Sequence, residues 1–162
     1  MDIELCESLR NELESVAESD RARAVVLTGT GTIFSAGVDL PRLIREGGDY
    51  TQRFVESLDA VLRALFLFPR PLVVAVNGHA IAGGAIMAFA ADYRLMSSGR
   101  IGLTELLLGV PFPPLALEIV RFAVPRQHVQ PMIYLGKTID ADAAPAARII
   151  AVSGTDLEPD KA

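Results

Sequence analysis

Two small-residue turns, each leaving a hydrophobic run, constrain this 162-residue chain more than any other feature. The first, Phe34-Ser35-Ala36-Gly37-Val38-Asp39-Leu40, follows Ala24-Val25-Val26-Leu27-Thr28. The second, Asn77-Gly78-His79-Ala80-Ile81-Ala82-Gly83-Gly84, follows Leu72-Val73-Val74-Ala75-Val76. Short apolar runs bounded by turn residues predict buried strands. Alanine and glycine let a ligand approach the backbone closely, so each turn can aim an N–H at one oxygen. Two such donors make an oxyanion hole, and a nearby carboxylate can move a proton. The candidate carboxylate is Glu105, whose neighbours Leu103, Leu106, Leu107 and Leu108 are apolar. Burial among them raises a carboxyl pKa, which suits a proton shuttle near neutral pH.

Around the turns, helical and strand-like segments alternate. Asp2 to Ser19 predicts a helix, with Leu5, Leu9, Leu13 and Val16 on one face. Arg23 to Thr28 predicts a strand, its unbroken apolar run pointing to burial on both faces. Asp39 can cap a short helix reaching Glu46, with Pro41 in its first turn and Gly47-Gly48 at its end. Thr51 to Leu67 carries a stripe of Phe54, Leu58, Leu62 and Leu65, and Pro69 and Pro71 stop it. Leu72 to Val76 is a strand, Gly84 to Ala91 a nearly all-apolar helix, Tyr93 to Ser97 a strand, and Ile101-Gly102 a further short one. Val110-Pro111-Phe112-Pro113-Pro114 is a stiff loop, and Leu115 to Val124 and Arg126 to Leu135 are helical. Strands alternating with helices predict an α/β fold with a largely parallel sheet. One domain over residues 1–148 is expected, followed by a poorly ordered tail over 149–162.

Composition narrows the function classes. Hydrophobic residues make up 51% and charged residues 22%, which supports a real core and argues against disorder away from the ends. A net charge of -5, with arginines and lysines scattered, offers no electrostatic footprint for nucleic acid. Cys6 is the sole cysteine, so no intramolecular disulfide can form, and with no targeting segment visible a cytoplasmic location is expected. No metal-ligand spacing is present. Pro71 to Ala91 is about as long as a membrane span. Its β-branched first half, the Asn77-Gly78 turn and the Gly83-Gly84 break fit a buried strand, turn and helix instead.

Other motifs carry less. Gly29-Thr30-Gly31 lacks the third glycine of a dinucleotide fingerprint, because Phe34 stands there. Asp39 reads as a helix cap and Asp92 as a structural carboxylate. His79 has no orienting acid nearby in sequence, His128 falls on a helix face, and Ser35 lacks the setting of a hydrolase nucleophile.

Four blocks in order resemble the crotonase, or enoyl-CoA hydratase/isomerase, superfamily between Ala24 and Gly136. They are Phe34 to Leu40, Pro71 to Gly84, Ala90-Ala91-Asp92-Tyr93-Arg94-Leu95, and Gly102-Leu103-Thr104-Glu105-Leu106-Leu107-Leu108-Gly109. The resemblance implies a spiral of β-β-α units. It implies that the N–H groups of Ala36 and Gly83 hold the thioester oxygen of an acyl-CoA, and that Glu105 moves the proton. Phe34, Ser35, Gly37, Asp39, Leu40, Gly84, Ile86, Pro111 and Phe112 would line the substrate. No cofactor is implied, since coenzyme A arrives as part of the substrate, and the assembly would be a homotrimer or hexamer, with no nucleic acid or membrane as partner.

Departures from the family pattern select among its chemistries. Hydratases of the family use two glutamates; the first would fall at Ile86, which cannot activate water, and the second matches Glu105. One glutamate suffices to take a proton from C2 and return it to C4, the Δ3,Δ2-enoyl-CoA isomerase reaction, whose branch Tyr93-Arg94-Leu95-Met96 also resembles. Hydration, thioester hydrolysis or decarboxylation, and a catalytically silent acyl-CoA-binding fragment are the alternatives. The fragment reading is motivated by an N-terminal hairpin and C-terminal helices that the resemblance leads one to expect and the chain lacks. Pro131 and Pro145 are further expected to interrupt helices.

Overall fold

The computed structural model of the chain describes residues 1–153. Helix α1 (Ile3–Glu18) starts where the Asp2 side chain accepts a hydrogen bond from the Leu5 N–H at 2.9 Å, the expected use of an aspartate at an N-cap. It buries Cys6 and Leu13 toward α3 (Gly48–Phe66), whose Tyr50, Phe54, Leu58, Val61, Leu62 and Leu65 form one continuous buried stripe.

Behind these helices lie two four-stranded sheets. The first has the order β1 (Val25–Thr28), β3 (Leu72–Val76), β5 (Tyr93–Met96), β8 (Val152–Ser153), all parallel, with Val25 opposite Leu72 and Val73 opposite Tyr93. The second has the order β2 (Ile33–Ser35), β4 (His79–Ile81), β6 (Arg100–Gly102), β7 (Thr138–Asp140). Its first three strands are parallel and β7 runs antiparallel to β6. Each of the first three strands of one sheet hands the chain straight to a strand of the other: β1 to β2, β3 to β4, β5 to β6. After β2 comes α2 (Leu40–Glu46), after β4 comes α4 (Gly83–Phe89), and after β6 a single 3-10 turn, Glu105–Leu108. This is a spiral of repeated β-β-α units. Helices α5 (Pro114–Ala123) and α6 (Arg126–Leu135) follow.

Several expectations change. β1 is not buried on both faces: it is an edge strand of its sheet, and Val26 is 67% exposed while Val25 and Leu27 are half-buried. The three-residue strands β2 and β4 lie inside segments that read as turns. Pro131 does not break α6, which runs through it. The ordered fold extends past residue 148. Ile149 and Ile150 are buried, and the backbone of Val152–Ser153 pairs with Leu95–Met96. The remainder of the expected tail, 154–162, lies outside the described residues. Among the described residues no helix is long and apolar enough to cross a membrane, and no group of three or more metal-binding side chains assembles. The apolar run of Pro71 to Ala91 becomes β3, β4 and the fully buried α4.

Candidate active site

The three β-β units deliver the candidate segments to one place, because each segment leaves the C-terminal end of a second-sheet strand. Pairing of Ser35 with Ala80 sets the first turn beside the second, and pairing of Ile81 with Gly102 sets the second beside the Glu105 segment. The Ala82 N–H extends that ladder by donating to the Gly102 carbonyl at 2.9 Å.

Contact between the turns is close enough to exclude side chains. A Cβ on Gly84 would collide with the Ser35 carbonyl, and one on Gly37 would stand 3.0 Å from the Ile81 carbonyl oxygen and 3.4 Å from the Gly83 nitrogen. Gly37 also has φ +89°, open to glycine at little cost. Ala82, without that freedom, has φ 53° and ψ -127°, a backbone strain at the entry to α4. Gly83 follows at the first position of α4, where an N–H has no intrahelical acceptor.

The first turn offers a second candidate donor that the sequence did not single out. The Ser35 carbonyl lies against Gly84, and a trans peptide points its N–H opposite to its C=O, so the Ala36 N–H faces away from the second turn. The Gly37 N–H is turned back on the Ser35 hydroxyl at 3.3 Å. The Val38 N–H has no hydrogen-bond partner among the described residues, and Val38 Cγ2 lies 3.9 Å from where a Gly83 Cβ would stand. The sequence signal was only Val38's place after an obligatory glycine; the peptide orientation that separates Ala36 from Val38 is not written in residue types.

Glu105 opens the 3-10 turn and is 9% exposed, with neither carboxylate oxygen hydrogen-bonded. Burial holds its pKa above the ordinary carboxylate value, only partly offset by the nearby backbone of Glu105 itself and Thr104, which makes no full hydrogen bond to it. The shielding differs from the one expected. Leu103 is fully buried, but Leu106, Leu107 and Leu108 are exposed, so the leucines that follow are not buried along with the carboxylate as expected.

The remaining candidates sort by place. Ile86 is buried in α4, and Phe34 is half-buried against the core. Asp39 is committed as the N-cap of α2, accepting from the Arg42 N–H at 3.0 Å, and Leu40 begins that helix with its N–H on the Val38 carbonyl. Phe112 packs against the core while Pro111 is exposed, on a loop tied back to the Glu105 carbonyl through the Val110 N–H at 3.0 Å. Asp92 is structural, accepting from the Leu72 N–H at 2.8 Å. His79 is exposed at the start of β4. A groove of about 480 Å³ between α1 and α3, lined by residues such as Leu13 and Ala64, contains neither turn nor Glu105, so depth alone does not mark this site.

Known proteins share this arrangement. Residues 1–152 match the family described as "Enoyl-CoA hydratase/isomerase". A Thermus thermophilus protein named "Putative enoyl-CoA hydratase" is 36% identical over 98% of this chain and 65% of its own length. The Mycobacterium tuberculosis "Probable enoyl-CoA hydratase EchA17" is 31% identical over 81% of this chain and 51% of its own. Among solved structures, an enoyl-CoA hydratase from Bacillus anthracis superposes with a TM-score of 0.86 at 27% identity, covering 94% of this chain and 60% of that one. An enoyl-CoA hydratase/isomerase family protein from Hyphomonas neptunium superposes at 0.87 with 20% identity, over 99% of this chain and 64% of that one, a likeness of fold. The chain thus spans between about half and two thirds of the length of these relatives.

Proposed function

The chain belongs to the enoyl-CoA hydratase/isomerase family and has the crotonase fold, and from that premise we propose that it binds an acyl-CoA thioester and shifts a carbon–carbon double bond from C3 to C2. The observation that carries the reading is Glu105: a buried carboxylate without a partner, on the strand end next to the second turn, with the buried apolar Ile86 where a second acid would stand. In the proposed reaction the thioester oxygen accepts from Gly83 N–H and from a first-turn N–H, for which the orientation of the Ser35 carbonyl favours Val38 over the expected Ala36. Polarising that oxygen stabilises the enolate formed as the Glu105 carboxylate removes the C2 proton; the protonated Glu105 then returns a proton at C4. Phe34, Ile86 and Phe112 supply apolar surface suited to an acyl chain and hostile to water. Loss of one donor of this kind typically raises a barrier by about 2.7–4 kcal/mol.

The test is an assay with 3-enoyl-CoA, following the absorbance of the conjugated 2-enoyl thioester. Conjugation that disappears in Glu105→Gln, with acyl-CoA binding kept, is the expected result; a fully active Glu105→Gln sinks the assignment. A second reading, hydration of a 2-enoyl-CoA, is favoured by the hydratase names of the relatives. Detection of a 3-hydroxyacyl product would select it. Binding without turnover would select the silent acyl-CoA binder. Assembly as a trimer or hexamer belongs to the same proposal, and light scattering reads it directly.

A further inference from the structure

The first turn is gripped from outside by a corner that the proposed chemistry does not itself use. Met1 forms a two-bond clamp around Val38: its nitrogen donates to the Gly37 carbonyl at 2.6 Å, and its carbonyl accepts from the Asp39 N–H at 2.9 Å. Its side chain crosses to the second turn, where its terminal methyl lies on the face of Gly83. The next residue, Asp2, divides its carboxylate. Oδ1 caps α1, and Oδ2 accepts from Arg42 Nη1 at 3.0 Å. Arg42 completes a fork on Glu4, with Nη1 to Oε2 at 2.9 Å and Nη2 to Oε1 at 2.7 Å. Its guanidinium lies 5.0 Å from the centre of the Tyr50 ring, and its own N–H is capped by Asp39. Arg42 therefore joins the starts of α1, α2 and α3, and reaches the turn at Val38 through its neighbours Asp39 and Asp2.

We propose that Arg42 is a positioning residue for the first oxyanion donor, holding the clamp that Met1 forms around Val38 at a fixed distance from Gly83. The inference rests on the oxyanion reading given above. A planar fork bonded to carboxylates and stacked on an aromatic ring specifies geometry more than stability, because exposed ion pairs stabilise little while a donor displaced by about 1 Å costs about a hundredfold in rate. Arg42 touches no substrate in this scheme and acts only through the turn.

The experiment uses the full chain and a chromophoric thioester, 4-dimethylaminocinnamoyl-CoA, whose absorption moves to the red when its carbonyl is polarised by hydrogen-bond donors. Arg42→Ala is expected to bind it with little change in affinity, to show a smaller red shift than wild type, and to turn over 3-enoyl-CoA about tenfold to a hundredfold more slowly at nearly unchanged KM. Arg42→Lys, which keeps one charge but not the fork, should fall between the two. Glu4→Gln, which leaves Arg42 in place and weakens its fork, should reproduce part of the loss and guards against a variant that fails to fold. An undiminished red shift in folded Arg42→Ala overturns the inference, as does lost affinity with an unchanged shift, which would make Arg42 a direct ligand contact. A wild-type complex with no red shift overturns the oxyanion reading itself, and this inference with it.

Discussion

The two sheets are threaded by the same units yet do different work. The β1-β3-β5-β8 sheet has regular parallel register and supplies frame: Leu72, Val74, Val76 and Met96 are all 0–1% exposed. The β2-β4-β6-β7 sheet is made of three-residue strands, shifts register between Ile33 and Ser35, and ends each of its first three strands in a segment of the candidate site. Two of those segments depend on glycines packed against backbone, the third on a carboxylate buried without a partner. The lesson is a division of labour. One sheet is built to be stable, and the other gives up part of that stability to close backbone contacts and a buried carboxylate, the features on which the proposed function rests.

That division predicts opposite outcomes for substitutions in the two places. The largest effect is expected at Glu105. Glu105→Gln should lower turnover by about 10²–10⁴-fold, the range for loss of a positioned acid–base, while raising stability at neutral pH. The sign follows from the raised pKa. Between the ordinary glutamate value and the folded-state value, the native protein holds a proton that the unfolded chain has lost. The carboxylate therefore detracts from stability as pH climbs through that window and fully above it. Denaturant melts across pH should show this fall in wild type and not in Glu105→Gln, and the acid limb of kcat/KM should lie above the ordinary glutamate range. A variant both inactive and destabilised would make Glu105 part of the frame. The counterpart is Leu72→Ala in β3, expected to cost about 2–5 kcal/mol by urea denaturation while kcat of the folded fraction stays near wild type. A selective loss of kcat there would break the comparison from the other side.

The frame was also the legible part of the sequence. An unbroken run of five apolar residues announces β3, and the stripe from Phe54 to Leu65 announces α3, because a long buried element leaves a run or a period long enough to count. β2, β4 and β7 leave too few residues for any period, and the pairing that makes Ile33–Ser35 a strand comes from His79 and Ala80, far away in the chain. The candidate site was legible as chemistry instead: small turns and a lone glutamate among apolar neighbours singled out three segments that the fold brings side by side. What could not be read was orientation. Choosing the Val38 N–H over that of Ala36 requires knowing where the Ser35 carbonyl points, and the burial of Glu105 beside exposed Leu106–Leu108 emerges only once the 3-10 turn is placed. The burial expected on both faces of β1 failed for a related reason, since position at a sheet edge is a property of the whole topology.

The next prediction sharpens the comparison inside the second sheet. Gly84→Ala places a methyl against the Ser35 carbonyl, a backbone atom that cannot rotate away. Overpacking of this kind typically costs about 1–3 kcal/mol, and relief requires the two turns to move apart. Stability by denaturant melt and the red shift of the chromophoric thioester should therefore fall together. Loss of stability with a full red shift would mean that the turns separate without moving their donors, and that the close packing serves the frame after all.

The smallest expected effect falls on Ala82, and it distinguishes strain from packing. A non-glycine residue at φ 53° and ψ -127° carries a penalty of about 1–3 kcal/mol, and it stands immediately before Gly83, the proposed donor of the second turn. Ala82→Gly removes the penalty but frees the unfolded chain, which returns about 0.4–1 kcal/mol. The net expectation is a gain of about 1 kcal/mol, read as a higher urea midpoint at unchanged slope. The Ala82 methyl also meets the face of Gly37 across the gap, so its removal should loosen the contact that fixes the two turns, and kcat should drop modestly while stability rises. That combination is the signature of strain retained for geometry. A variant that is both more stable and fully active would show that the strained alanine is tolerated by the second sheet without being used by it.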